Sequence, residues 1–306
     1  MIKAITVTNF LGESLRLELM RPEQSGFIVK EITGLGPAKA NVNTTEVSTN
    51  DGALFNSSRL NNRNPVLKLQ FLQTTTESIE DIRQKSYKYF PIKKKLTLVI
   101  ETDNRIGETV GYVETNEPDI FSENEGCQIS IVCPDPFLYS AGANGLNTTV
   151  FYGVAPAFKF PFCNRSLTEK LIKIGTIENQ TENVITYDGD SEIGITIIIH
   201  AIGEASNITI YNTGTRERMH ISTDKLKTLT GSGIVESDEI TICTVRGEKS
   251  VTLLREGKTT NILNCLTKGD NWFSLAKGDN IFAYTAETGS ANLQFRIINK
   301  IIYEGV

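Results

Sequence analysis

The chain is poor in the residues that carry most chemistry. Among its 306 residues there are two histidines (His200 and His220), one tryptophan (Trp272) and five cysteines, with no Cys-x-x-Cys pair. A tetrahedral zinc site needs paired ligand spacings, and Cys127, Cys133, Cys163, Cys243 and Cys265 are scattered, with only Cys243 near a histidine. An odd, dispersed set of this kind reads as free, mostly buried thiols of a protein made in a reducing compartment. Long apolar runs are missing too. The most apolar stretch, Ile193 to Ile202, is broken by Gly194, Thr196 and His200 and is too short to span a bilayer, so no membrane insertion is expected. The start, Met1-Ile-Lys-Ala-Ile5, lacks the apolar core of a secretory leader, and the six Asn-x-Ser/Thr matches beginning at Asn43 therefore carry no expectation of glycosylation. Charge of one sign is not in excess either. A net charge of -5 does not suit a general binder of nucleic acid or anionic membrane, and the clearest basic patch is only Lys93-Lys94-Lys95.

What is present is the composition of a folded protein: 39% hydrophobic and 22% charged residues, in a length that suits two ordinary domains. Period-two alternation dominates. Leu67, Leu69 and Phe71 alternate with Lys68 and Gln70; Leu96, Leu98 and Ile100 repeat the pattern, as do Ile193, Ile195, Ile197 and Ile199, and later Leu293, Phe295 and Ile297. Strands of this kind bury one face and wet the other, as antiparallel sheets permit. Turn signals fall between them at Asn50-Asp51-Gly52, Asp188-Gly189-Asp190, Arg246-Gly247-Glu248 and Glu256-Gly257-Lys258. Their density in the second half argues for a sandwich or jelly roll.

One segment has helical period. Ile79, Ile82, Ser86 and Tyr89 recur at spacings of three to four between Glu77 and Phe90, with acids first, bases later and Pro91 as the stop. A short second helix is expected over Asn261 to Leu266. The small, glycine-rich stretch Ser140 to Asn147 reads as a linker and divides the chain into an α+β domain, 1–143, and an all-β domain, 144–306. Lys268-Gly-Asp-Asn271 and Lys277-Gly-Asp-Asn280 read as similar turns on either side of one strand at Trp272 to Leu275.

No catalytic, cofactor-binding or metal-binding residue is assigned. Asp188-Gly-Asp-Ser-Glu192 lacks the register of a calcium loop and reads as a hairpin turn. Thr230-Gly-Ser-Gly233 and Gly247-Glu-Lys-Ser250 lack the spacing of a phosphate loop and read as turns. His200 and His220 have no nucleophile motif beside them. Glu114 with Glu117, and Glu123 with Glu125, are carboxylate pairs in sequence, but proximity along the chain does not make a cleft. Tyr87, Tyr89 and Phe90 followed by Lys93 to Lys95 read as core aromatics ahead of a solvated basic strand start rather than a base-stacking platform.

Several motifs nevertheless occur in a telling order. Thr33-Gly-Leu-Gly-Pro37 is followed by Arg63-Asn-Pro-Val66, Glu80-Asp-Ile-Arg83, Tyr87-Lys-Tyr-Phe-Pro91, Gly111-Tyr-Val-Glu114 and Cys133-Pro-Asp-Pro-Phe-Leu-Tyr139. The second half adds Trp272-Phe-Ser-Leu275 with Gly278 and Asn280, and the closing Ile302-Tyr-Glu-Gly-Val306. Taken together the chain resembles the distal tail (Dit) family of siphovirus-type phages over nearly its whole length.

The resemblance implies a mainly β protein: an amino-terminal α+β domain with one helix, related to tail-tube proteins, and a carboxy-terminal galectin-like β-sandwich. It implies a non-enzymatic hub without cofactor, closed into a hexameric ring at the virion tail tip after assembly in the host bacterial cytoplasm. The partners implied are other copies of itself, the tail-tube protein, the tail-tip hub protein, and the tape-measure and receptor-binding proteins or baseplate. DNA would cross the central channel as passing cargo. Lectin activity is not implied, because the sugar-reading His-x-Asn-Pro-Arg of galectins is absent: His200 is followed by Ala-Ile-Gly, and Trp272 by Phe273. Three other readings stand beside the ring hub: a carbohydrate-binding adhesin of the tail tip, a tail-associated hydrolase, and a baseplate component of a contractile tail or injection particle. A ring of one repeated subunit needs a heterologous interface. The loop-rich segment Thr33 to Val47 is the expected contact, through unpaired strand edges. A channel that passes DNA should be polar or acidic, with Lys93 to Lys95 pointing away from it.

Overall fold

The computed structural model describes residues 1–46, 48, 51–142, 145–156 and 175–306, with the strand segments 153–156 and 175–179 described by backbone alone. Val47, Cys163 and the expected boundary at 143/144 lie outside the described residues. The chain is mainly β and forms two compact units, Met1–Gly145 with Ile302–Val306, and Leu146–Ile301.

The first unit contains β1 (Ile2–Thr8), β2 (Ser14–Glu18), β3 (Phe27–Thr33), β4 (Ala40–Glu46), β5 (Ala53–Leu60), β6 (Val66–Phe71), α1 (Ile79–Tyr89), β7 (Lys95–Thr102), β8 (Ile106–Asp119), β9 (Gly126–Val132) and β10 (Leu138–Ser140). Its main sheet is antiparallel in the order β2-β1-β7-β8-β9-β6-β3. The alternating residues do what their period requires: Leu67, Leu69, Phe71, Leu96, Leu98 and Ile100 are all buried. β8 is the long member. Its first half pairs with β7 and its second with β9, so the β8–β9 hairpin runs on past the end of β7.

The expected helix is α1. Ser78 caps it by accepting from the Asp81 amide, while the Asp81 carboxylate accepts from the Ser78 amide, a capping box. Ile82 and Ser86 face the core, and Phe90 closes the last turn before Pro91.

The second unit holds β11 (Asn147–Val150), β12 (Tyr152–Pro156), β13 (Gly175–Asn179), β14 (Glu182–Tyr187), β15 (Ile193–Gly194), β16 (Thr196–Ala201), β17 (Ser206–Asn212) and β18 (Glu217–Ile221). After α2 (Thr223–Thr230) come β19 (Glu239–Cys243), β20 (Ser250–Arg255), β21 (Lys258–Asn261), β22 (Ser274–Leu275), β23 (Gly278–Thr288) and β24 (Leu293–Asn299). Two antiparallel sheets, β11-β24-β16-β19-β20-β21 and β14-β23-β17-β18, carry the unit, with β12–β13 and β15–β22 as small ribbons. Tyr284 of β23 stacks on Phe295 of β24 at 3.8 Å between ring centroids, so inward residues of both sheets share one core. A last strand, β25 (Ile302–Tyr303), pairs with β10 of the first unit.

Four features differ from the sequence reading. Asn261 to Leu266 is not a helix: it holds the end of β21 and a single 3₁₀ turn, Leu263–Cys265. The second helix is α2, capped by Ser222 and ended by Gly231 at φ +81, and too short to show a clear period. Asp188 to Glu192 is not a hairpin turn, because β14 pairs with β23 and β15 with β22; the loop instead wraps Tyr187, whose hydroxyl donates to the Ser191 carbonyl at 2.8 Å. Finally, residues 302–306 belong with the first unit, whereas the sequence division ran the second domain to 306.

Candidate assembly surfaces

Arg63 is the most instructive side chain of the first unit. It is only 2% exposed and, among the described residues, is in no ion pair, although the charge of Asp135 favours its charged form; its guanidinium donates to four backbone carbonyls. These are Pro136 at 2.9 Å, Gly34 at 2.9 Å, Gly36 at 2.7 Å and Glu304 at 2.6 Å. Burial pulls its pKa down, yet a guanidinium stays charged at any physiological pH, and the four carbonyl dipoles supply what water no longer does. The backbone is tied as well, Arg63 exchanging both amide–carbonyl bonds with Cys133. Gly34 must be glycine here: its φ is +77, and a Cβ would lie 2.2 Å from the Asn64 carbonyl oxygen.

This knot is the root of a hairpin. Among the described residues β4 and β5 pair only with each other, and every residue of both strands is exposed. Cross-strand partners share a face, and the register Ala40↔Leu60, Val42↔Ser58, Thr44↔Phe55 and Glu46↔Ala53 gathers the apolar side chains on one face. The other carries Asn41, Asn43, Thr45, Ser57 and Arg59, with Leu54 the exception; Asn43 donates to the Ser57 hydroxyl and the bulged Asn56 to Thr45. At the root the apolar face runs into a shallow notch between Pro37, Ala38, Leu60, Pro136 and Phe137. A two-stranded hairpin is marginal by itself, and this one leaves Val42, Phe55 and Leu60 to water.

The groups nominated from the sequence for chemistry do not converge. His200 lies on β16 opposite Glu239 and Gln294, while His220 lies on β18 with its Nδ1 2.8 Å from the Thr209 hydroxyl. Glu114 accepts from Ser130, Glu125 pairs with Arg83 at 3.3 Å, and Glu117 and Glu123 are exposed on the β8–β9 hairpin. Among the described residues no cluster of histidine, cysteine and carboxylate side chains suits a metal ion. Cys127, Cys133 and Cys265 are buried, and desolvation raises all three thiols, Cys127 to about 12. Phe90 is core, as expected, whereas Tyr87 is exposed. Trp272 is half-buried with the Lys249 ammonium 5.2 Å over its ring, so one face is already occupied.

No protein-family model matches this chain, and no curated protein matches it. Solved structures do. The SPP1 Dit protein, described as a paradigm of the hub adsorption apparatus in phages infecting Gram-positive hosts, aligns over 98% of this chain and 100% of its own, with a TM-score of 0.65 at 11% identity. Chains of the phage p2 baseplate in its activated conformation, with strontium and with calcium, align over 97% and 98% of this chain at TM-scores of 0.49 and 0.47 and 12% identity. The fold is therefore similar to that of the SPP1 protein, although only 11% of the aligned residues are identical.

Proposed function

We propose, from a fold shared over the whole chain with a phage hub protein, that this protein is a structural hub of a virion tail tip. Its first unit closes into a ring of six that joins the tail tube to the tail-tip hub and to baseplate or receptor-binding proteins. The central channel passes DNA, and the second unit is read as a galectin-like sandwich in a division near 143/144. The protein turns over no substrate and needs no cofactor; it is assembled in the host cytoplasm. The observation that carries this reading is the β4–β5 hairpin, whose apolar face is left exposed by the described residues. A second copy would cover Val42, Phe55 and Leu60, the hairpin overlapping the Thr33 to Val47 contact segment expected from the sequence. The half-covered Trp272 gives an adhesin reading no open aromatic platform.

The test is light scattering with hydrogen exchange on the full chain. A sixfold species is expected, in which amides 40–46 and 53–60 exchange far more slowly than in the monomer. Phe55→Glu should shift the equilibrium to monomer without altering the circular dichroism. Equal exchange of the hairpin in monomer and ring would remove it from the contact.

A further inference from the structure

At one end of the main sheet, the β1–β2 turn and the start of β7 carry a second exposed surface. Lys93, Lys94 and Lys95 are exposed, and among the described residues none of the three is in an ion pair, in a chain whose net charge is negative. Their backbone is fixed. Lys93 sits at φ +65 with its amide donating to the Val113 carbonyl at 2.9 Å, and Ile92 bridges Val113. The Lys94 ammonium lies 5.3 Å from the Phe10 ring, and Lys95 is the cross-strand partner of Tyr112. The adjoining β1–β2 turn is braced by Asn9, which accepts from the Leu11 and Glu13 amides and donates to the Lys88 carbonyl. Phe10, Ile92 and Tyr112 are exposed beside the lysines. The result is a rigid patch that is basic and aromatic together.

The tip of the β8–β9 hairpin has the opposite character. Phe121 is 96% exposed, Ile120 is exposed beside it, and Glu117, Asp119 and Glu123 surround them without an ion pair among the described residues. The tip is held, too: Asn124 accepts from Gln70 at 2.9 Å and Glu125 pairs with Arg83. A fully exposed phenylalanine on a braced, acidic turn is an anchor without a socket.

The two surfaces cannot satisfy each other within one chain. Tyr112 and Asp119 are both on β8, seven residues apart, which is roughly 23 Å of extended strand. We infer that they meet between copies: the Ile120–Phe121 tip of one subunit docks on the Phe10, Ile92 and Tyr112 patch of the next, with Asp119 and Glu123 against Lys93 to Lys95. Two different patches that fit each other head to tail make the heterologous contact from which rings are built. The inference rests on the ring reading above and adds to it a charged contact distinct from the hairpin. It also gives the lysine triad a task outside the channel, since a carboxylate rather than a phosphate faces it.

A charge-swap experiment tests this. Lys93→Glu/Lys94→Glu/Lys95→Glu, Asp119→Lys/Glu123→Lys, and the five changes combined are compared with wild type by sedimentation velocity at low and moderate salt. Each single-patch reversal should weaken association at least tenfold, and the combination should return it to within about threefold of wild type. Phe121→Ser, at a position too exposed to affect folding, should weaken association without charge change. If the reversed variants assemble like wild type while Phe55→Glu does not, the inference fails and the ring reading stands. Failure of the combined variant to recover would also overturn it. If wild type stays monomeric at every concentration, both fall. Binding of a duplex DNA oligonucleotide that is lost in the lysine variant, with assembly intact, would overturn it in favour of a nucleic-acid surface.

Discussion

Replacing Arg63 by methionine isolates the tertiary knot of the first unit. The substitution keeps a long, flexible side chain but removes all donors to the carbonyls of Gly34, Gly36, Pro136 and Glu304. Each of the four hydrogen bonds contributes roughly 1 kcal/mol, and their loss is partly offset because a guanidinium no longer has to be desolvated. A net loss of about 3 kcal/mol follows. With a urea slope of about 2 kcal/mol per molar, the unfolding midpoint of the first unit should fall by about 1.5 M. Trp272 lies in the second unit, so its fluorescence follows that unit alone, while exchange of amides 34–37, 61–66, 133–139 and 302–306 follows the knot. The expected result is early exchange of all four segments together, with the tryptophan transition in place. Arg63→Lys keeps the charge on a single nitrogen, which cannot reach carbonyls on four sides, and should recover about half the loss. A midpoint shift below about 0.3 M, or exchange confined to residues next to 63, would refute the reasoning.

Gly34→Ala should cost more than about 3 kcal/mol, since the new Cβ meets a backbone carbonyl, whereas Gly257→Ala, at a similar φ of +76 but with open space around it, should cost about 1 kcal/mol; thermal melts of the two variants check the difference. Asp238 is buried and accepts from both Arg255 Nε at 2.7 Å and Nη2 at 2.6 Å, so Asp238→Ala should destabilise the second unit by about 3–5 kcal/mol, read from Trp272 fluorescence in urea. The Arg16 guanidinium hydrogen-bonded to Glu101 holds that carboxylate below its ordinary value. The pair therefore adds stability above the unfolded carboxylate pKa, near about 4.3, and loses it as pH falls through the lower folded value. Glu101→Gln should lower the stability read from urea unfolding slightly at pH 7, by under about 1 kcal/mol for an exposed pair, with no difference from wild type near pH 2; a difference that persists there would contradict the assignment. Native protein should leave Cys127, Cys133 and Cys265 unalkylated by iodoacetamide at pH 8, and rapid labelling of any of them would show the core to be open.

The residues that fixed strand, face and helix act locally, which is why they were legible. Leu96, Leu98 and Ile100 alternate because a strand has period two, and Ile79, Ile82 and Ser86 recur because a helix does not. Where the local signal is weak, reading failed. α2 spans barely two turns and is marked only by Ser222 and Gly231, and the Asp188 to Glu192 loop has the letters of a hairpin turn though its flanking strands pair elsewhere. The motifs that carried the family resemblance were visible as letters without a reason for them. Thr33-Gly-Leu-Gly-Pro37, Arg63-Asn-Pro-Val66, the Cys133 to Tyr139 segment and the closing Ile302 to Val306 are far apart in the chain, yet all four supply an atom to the Arg63 knot.

By itself, then, the sequence determined that this is a β-rich chain with one strong helix, because periodicity is a property of neighbours along the backbone. Only the tertiary structure decided which surfaces are left over: the amphipathic β4–β5 hairpin, the acidic tip at Phe121 and the basic patch at Lys93 to Lys95. Exposure depends on what the rest of the chain covers, and that sum is taken over residues up to 241 positions apart, as between Arg63 and Glu304.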